Sequence, residues 1–205
     1  MKVFKSFEQR SEEWHQIRMG IATSSQFKRI MGGKGGDITY MSELISQKLT
    51  KRAKEIYTSD SMEYGIQTEK QAIANYEFIN NVKVDHVAFI QLNDSIGCSP
   101  DGLIGDHGLI EIKCPETHTH IKWIINGEIP KDHIHQVLGS LWVTGREWVD
   151  FISYDYRLES PNDLFIVRAY ANDYSDEINK INEKVSLFTD KMIDGLNILN
   201  NRENI

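Results

Sequence analysis

Asp101, Glu111 and Lys113 stand in the stretch CSPDGLIGDHGLIEIKCP, residues 98–115, among residues that otherwise have the character of short buried strands. Alternate residues of a strand share a face, about 7 Å apart. Glu111 and Lys113 therefore lie together, while Ile110, Ile112 and Cys114 point the other way. Asp101 comes earlier, behind a Ser-Pro corner, and a hairpin through GDHG would bring its strand beside Glu111. Two adjacent carboxylates repel unless one is protonated or a cation bridges them. Oxygen-only ligands suit Mg²⁺, Mn²⁺ or Ca²⁺, and the backbone carbonyl of Ile112 could add another oxygen. A metal held this way keeps several waters, one of which can attack a phosphodiester. Lys113 would position that water or stabilise charge in the transition state. The competing reading is a surface strand with a Glu–Lys pair and an unrelated turn aspartate, which is the commoner fate of an isolated Glu-x-Lys. The SPDG corner and the apolar flanks favour the metal.

These side chains need elements to hold them. The first third of the chain has helical character. In SEEWHQIRMG, Ser11 is a candidate N-cap, Glu12 and Glu13 occupy the first turn and Gly20 is a stop. A second helix restarts at Thr23 or Ser24 and ends at Gly32 and Gly33, and GGKGG is a loop. Tyr40–Lys54 has Met41, Leu44, Ile45 and Leu49 at core spacing, and a helix from about Ser61 to Asn80 offers Met62, Ile66, Ile73, Tyr76 and Phe78 for burial. VKVDHVAFIQL then changes to strand character, followed by short strands near Ile96–Ser99, Leu103–Ile104 and LIEIKC. Helices are expected at about Thr117–Asn126 and Lys131–Thr144, strands at WVDFISYD and LFIVRAY, and a long amphipathic helix at the end. In that last helix Ile178, Ile181, Val185, Leu187, Phe188, Met192 and Leu196 are candidates for core or subunit packing. The sum is a mixed α/β (α+β) sheet flanked by helices in one domain, 1–205. It comprises a helical N-terminal region (1–80), a catalytic sheet core (81–170) and a C-terminal helix (173–200).

Composition excludes several classes. With 40% hydrophobic and 26% charged residues the chain is that of a soluble globular protein. No apolar run is long enough for a membrane span, and the N-terminus lacks a signal-peptide core. Two cysteines, Cys98 and Cys114, cannot build a four-cysteine zinc or iron–sulfur site, and a reducing cytoplasm is the simplest compartment. A net charge of −7 argues against non-specific DNA coating, yet it leaves room for a locally positive, metal-bearing groove. The histidine pairs of HTH (118–120) and HIH (133–135) do not share a helix face, so surface or supporting roles are favoured over zinc. The tryptophans at 14, 123, 142 and 148 are spaced as core or interface anchors.

The central stretch resembles the PD-(D/E)xK nuclease signature, with Pro100 and Asp101 followed by Glu111, Ile112 and Lys113. More narrowly it is similar to the lambda exonuclease and YqaJ-type viral recombinase family. EWHQIRMGIATSSQF (13–27), YGIQTEKQAIANYE (64–77) and HQVLGSLWVTGREW (135–148) resemble further segments of that family, in the same order. The resemblance implies a restriction-endonuclease-like core and a set of roles. Asp101, Glu111 and the Ile112 carbonyl would bind metal, and Glu69 would complete the site. Lys113 would be the catalytic lysine and Gln136 its neighbour on a helix. In the wider RecB-like group a tyrosine often follows four residues later, where this chain has Ser140. Arg18, Ser25 and Ser99 would hold a DNA 5′-phosphate, and Met62 would be a wedge at the duplex end. Without the resemblance, Glu69 is an ordinary helix glutamate, Arg18 a helix C-terminal cation, Ser25 a cap and Met62 a core residue.

The resemblance further implies a single nuclease domain that degrades linear double-stranded DNA ends 5′→3′ with Mg²⁺, or Mn²⁺ in its place. It would leave 3′ single-stranded tails for recombination. A homotrimer, a single-strand annealing protein as partner, and a viral or prophage origin with action in the bacterial cytoplasm follow from the same source. The alternatives are an endonuclease of the same fold and a non-catalytic DNA-end or annealing-protein adaptor; the intact Asp101, Glu111 and Lys113 set argues against the latter.

Overall fold

The computed structural model describes residues 1–33, 35–52 and 60–202, with the side chains of 60–67 excepted. Lys34, Met62 and Ile66 as side chains thus lie outside the described residues. The chain opens with a strand missed in the sequence, β1 (Lys2–Phe4), before α1 (Glu12–Ile17), whose N-cap Ser11 accepts from the Trp14 amide. A second short strand, β2 (Ala22–Thr23), leads through a 3₁₀ turn, Ser24–Gln26, into α2 (Phe27–Gly32). Three- and two-residue strands are too short to show alternation, so the N-terminal region is less purely helical than expected. Then come α3 (Gly36–Thr50) and α4 (Asp60–Asn80). Gly36 opens α3, so the expected glycine loop is shorter than GGKGG.

The strands β3 (Phe89–Asn93), β4 (Ile96–Cys98), β5 (Gly102–Ile104) and β6 (Gly108–Lys113) follow, then α5 (Thr117–Asn126), α6 (Ile134–Thr144), β7 (Trp148–Tyr154), β8 (Leu164–Tyr170) and α7 (Ser175–Asn200). They form two four-stranded mixed sheets where a single sheet was expected, ordered β1-β3-β4-β2 and β5-β6-β7-β8. The β5–β6 hairpin is antiparallel, with Gly102 opposite Ile110, as the GDHG turn requires. β6 runs parallel to β7, which brings the helical connection through α5 and α6 across one face.

Both faces of β6 are buried. Ile110 and Ile112 pack with Ala72 and Tyr76 of α4 in a smaller core, while Leu109 belongs to the main core with residues of α2, α3, α6 and α7. Glu111 is on that second face and is only 1% exposed, so the charged side of the strand is interior rather than at the surface. In α7, Ile181, Val185, Phe188 and Met192 are buried, but Leu187 falls off the stripe and is exposed. Leu49 and Phe78 are likewise exposed, against expectation. His120 is fully buried rather than superficial, bonded to Ser153 Oγ at 2.6 Å and the Asn162 carbonyl at 2.8 Å.

The helix α4 is fastened to the second sheet by a polar cluster around the buried Asp150. The Tyr76 hydroxyl donates to Asp150 Oδ2 at 2.6 Å, and Arg168 grips both oxygens of Asp150 at 2.7 and 2.8 Å. Burial first, then the Asp150 hydrogen bond, push the Tyr76 phenol upward. Tyr76→Phe deletes one bond of this cluster and is expected to cost about 1 to 2 kcal/mol in urea denaturation. An unchanged midpoint and slope would show that Arg168 alone satisfies Asp150.

Candidate active site

The carboxylates of the DGLIGDHGLIEIK stretch are brought together by the hairpin. β5 begins only at Gly102, so the Asp101 side chain takes over just before the ladder starts, and its Oδ2 accepts from the Ile112 amide at 2.6 Å. The amide and carbonyl of one strand residue point to the same side. The Ile112 carbonyl therefore faces the side where β5 no longer runs. Glu111 Oε1 accepts from Lys113 Nζ and from Gln136 Nε2, each at 2.5 Å. Glu111 Oε2 is buried and has no hydrogen-bond partner among the described residues.

The electrostatics follow from this crowding. Burial, and then the charges of Glu111 and Glu69, hold the Asp101 carboxyl well above the usual range. Burial also raises Glu111, against the downward pull of Lys113. Burial draws the Lys113 ammonium down, but Glu111 and Asp101 outweigh it and the net shift is upward. Glu69 is held from the other side by Arg10 at 3.2 Å. Among the described residues no three His, Cys, Asp or Glu side chains already stand at metal-ligand spacing. The donor set still suits a hard divalent cation: an orphaned buried oxygen on Glu111, the Asp101 carboxylate and the Ile112 carbonyl, with Glu69 within electrostatic reach.

A second constellation gathers around Arg18. The guanidinium of Arg18 sits 3.6 Å over the Trp14 ring and reaches Thr23 Oγ1 at 3.4 Å, but its Nε is buried without a hydrogen-bond partner among the described residues. Burial lowers Arg18 to about 10, and the influences that raise it come from Tyr40 and Cys98 rather than a carboxylate. Ser25 Oγ lies 3.3 Å from Thr23 Oγ1, and Ser99 Oγ accepts from the Trp14 indole at 3.0 Å. The three residues expected to hold a phosphate are therefore linked through Trp14 and Thr23, to which the sequence assigned no such role. The spacing of Trp14 and Arg18, four apart on a helix, is the signal that could have revealed the pair. Cys98 on β4, fully buried, feels the charges of both Glu111 and Arg18 and so lies within electrostatic reach of both constellations.

The fold is that of the PD-(D/E)xK nuclease class. The chain belongs to the YqaJ-like viral recombinase domain family, whose model matches residues 13–147. It is similar to an alkaline exonuclease, LHK-Exo, from Laribacter hongkongensis: 37% identity, a TM-score of 0.85, and coverage of 93% of this chain and 96% of that one. LHK-Exo in complex with dAMP matches equally well, with TM-score 0.85. A phage-related exonuclease from Haemophilus somnus 129PT shares the fold at 14% identity and a TM-score of 0.57, over 86% of this chain and 96% of that one. No curated protein matches the sequence significantly. No helix among the described residues is long and apolar enough to cross a membrane.

Proposed function

We propose that this protein is a Mg²⁺-dependent exodeoxyribonuclease that degrades the 5′-ended strand of linear duplex DNA in the 5′→3′ direction and leaves 3′ tails for recombination. The observation that carries the reading is the pair of unsatisfied sites that both reach Cys98 of β4. Among the described residues, one offers a buried carboxylate oxygen without a hydrogen-bond partner and the other a buried guanidinium nitrogen without one. The first calls for a cation and the second for an anion, which are the needs of a scissile bond close to a terminal phosphate. The kinship with an alkaline exonuclease, itself solved with a nucleoside monophosphate, supports the same reading.

Asp101, Glu111, the Ile112 carbonyl and Glu69 would hold Mg²⁺, or Mn²⁺ in its place. Once bound, the ion supplies a water of lowered pKa and polarises the scissile phosphate. Lys113 presents a fixed positive charge to the reacting phosphate while it and Gln136 orient Glu111. Arg18, Ser25 and Ser99 would grip the 5′-phosphate and set the strand end in place. A homotrimeric ring and a single-strand annealing partner in a bacterial host belong to the same proposal, in which the −7 net charge lies mainly outside a locally basic channel.

Linear and closed circular duplexes labelled at the 5′ or 3′ end test the polarity and the need for an end. The 5′ label should be released at once, the 3′ label late, and the circle should survive; EDTA should stop all cleavage. Cutting of the circle, or early loss of the 3′ label, would overturn the proposal.

A further inference from the structure

The two half-sites sit on different elements, so something must set the distance between them. Asp101 and Glu111 ride on the β5–β6 hairpin, whereas Arg18 caps the end of α1 and Ser25 lies within the 3₁₀ turn before α2. Helix α6 touches both. Gln136 in its first turn reaches Glu111, and one turn further on, about 6 Å along the axis, Gly139 and Ser140 press against the 3₁₀ turn. The Ser140 hydroxyl, 1% exposed, donates to Ser24 Oγ at 3.0 Å. Ser24 precedes Ser25 of the phosphate pocket in the chain, and the Cys98 thiol, next to Ser99, rests against Ser140 as well. A Cβ on Gly139 would stand 2.5 Å from the Phe27 ring and 3.4 Å from the Ser24 Cβ, so this close approach needs glycine.

We infer that the seam of Gly139 and Ser140 against Ser24 and Phe27 sets the register between the terminal-phosphate pocket and the carboxylate site, and so determines which phosphodiester is cut. This rests on the proposed exonuclease reading. Gly139 and Ser140 are positioning residues: neither meets the DNA, and a directional hydroxyl pair fixes the spacing more sharply than apolar packing would. If they merely filled the core, any damage would spread to folding and to both half-sites. If they set register, each half-site survives alone and only their joint output changes.

Ser140→Ala and Gly139→Ala separate these cases. Four readouts are compared with the wild type: Mn²⁺ binding by calorimetry, affinity for a 5′-phosphorylated duplex end in EDTA by fluorescence anisotropy, the rate ratio on 5′-phosphate against 5′-hydroxyl ends, and product length by mass spectrometry. Both binding affinities should be retained. The rate ratio should fall roughly fivefold for Ser140→Ala and up to about a hundredfold for Gly139→Ala, with dinucleotides joining mononucleotides among the products. A folded variant with wild-type ratio and product length overturns the inference, as does a parallel loss of both affinities. Should Gly139→Ala fail to fold, Ser140→Ala decides alone. A wild type that treats both ends alike removes the functional reading itself, and the inference with it, before any variant is made.

Discussion

Asp101→Asn is expected to lower Mg²⁺-dependent cleavage by about a thousandfold and yet to make the metal-free protein more stable. The two effects share one cause. Asp101 is raised well above an ordinary carboxyl by burial and by the charges of Glu111 and Glu69. A group whose folded pKa is raised binds protons more readily in the native than in the unfolded state. Metal-free stability therefore falls as pH climbs from the ordinary carboxylate value through the raised one, and removing the charge removes that penalty. The asparagine oxygen can still accept from the Ile112 amide, so the hairpin stays closed. The measurement is thermal melting with and without Mg²⁺ beside a cleavage assay. The wild type should gain melting temperature with Mg²⁺; the variant should start higher and gain nothing. A variant that is less stable without metal, or that still cleaves at the wild-type rate, would remove Asp101 from the metal site.

Arg18→Met is expected to lower the rate on 5′-phosphorylated ends by roughly ten- to a hundredfold, with little change on 5′-hydroxyl ends. Burial strips water from the guanidinium and no carboxylate among the described residues compensates, as its fall to about 10 reflects. Its flat face on Trp14 replaces part of the hydration, and an incoming phosphate dianion would supply the rest. Methionine keeps the apolar packing over the indole while deleting the charge. Melting temperature should hold or rise, because an unpaired buried cation is costly. Equal losses on both kinds of end would assign Arg18 to general DNA binding, and a collapse in stability would make it a structural residue.

Much of this site was legible in the chain because it is local. Alternation placed Glu111 with Lys113, and the turn residues between β5 and β6 were enough to bring Asp101 alongside. The core stripe of α7 followed from helical spacing, and the same spacing explains why Leu187 is exposed while Phe188 is not. Phe78 shows the limit of apolarity alone: it lies two residues from Tyr76, about 200° around the helix, and so faces away from the sheet. Two very short strands left no periodic trace, and with them the division into two sheets was invisible.

The sequence by itself determined the hairpin, its triplet of charged groups and the helices that flank it, since each depends on neighbours within a few turns of chain. Tertiary structure alone decided how those groups behave. It buried Glu111 on the main-core face of β6, drew Gln136 onto it from α6, and enclosed the Arg18 Nε with no hydrogen-bond partner among the described residues. The reason is physical: a charge's solvation and its missing partner are set by what packs around it, and here those neighbours come from helices and strands scattered along the chain.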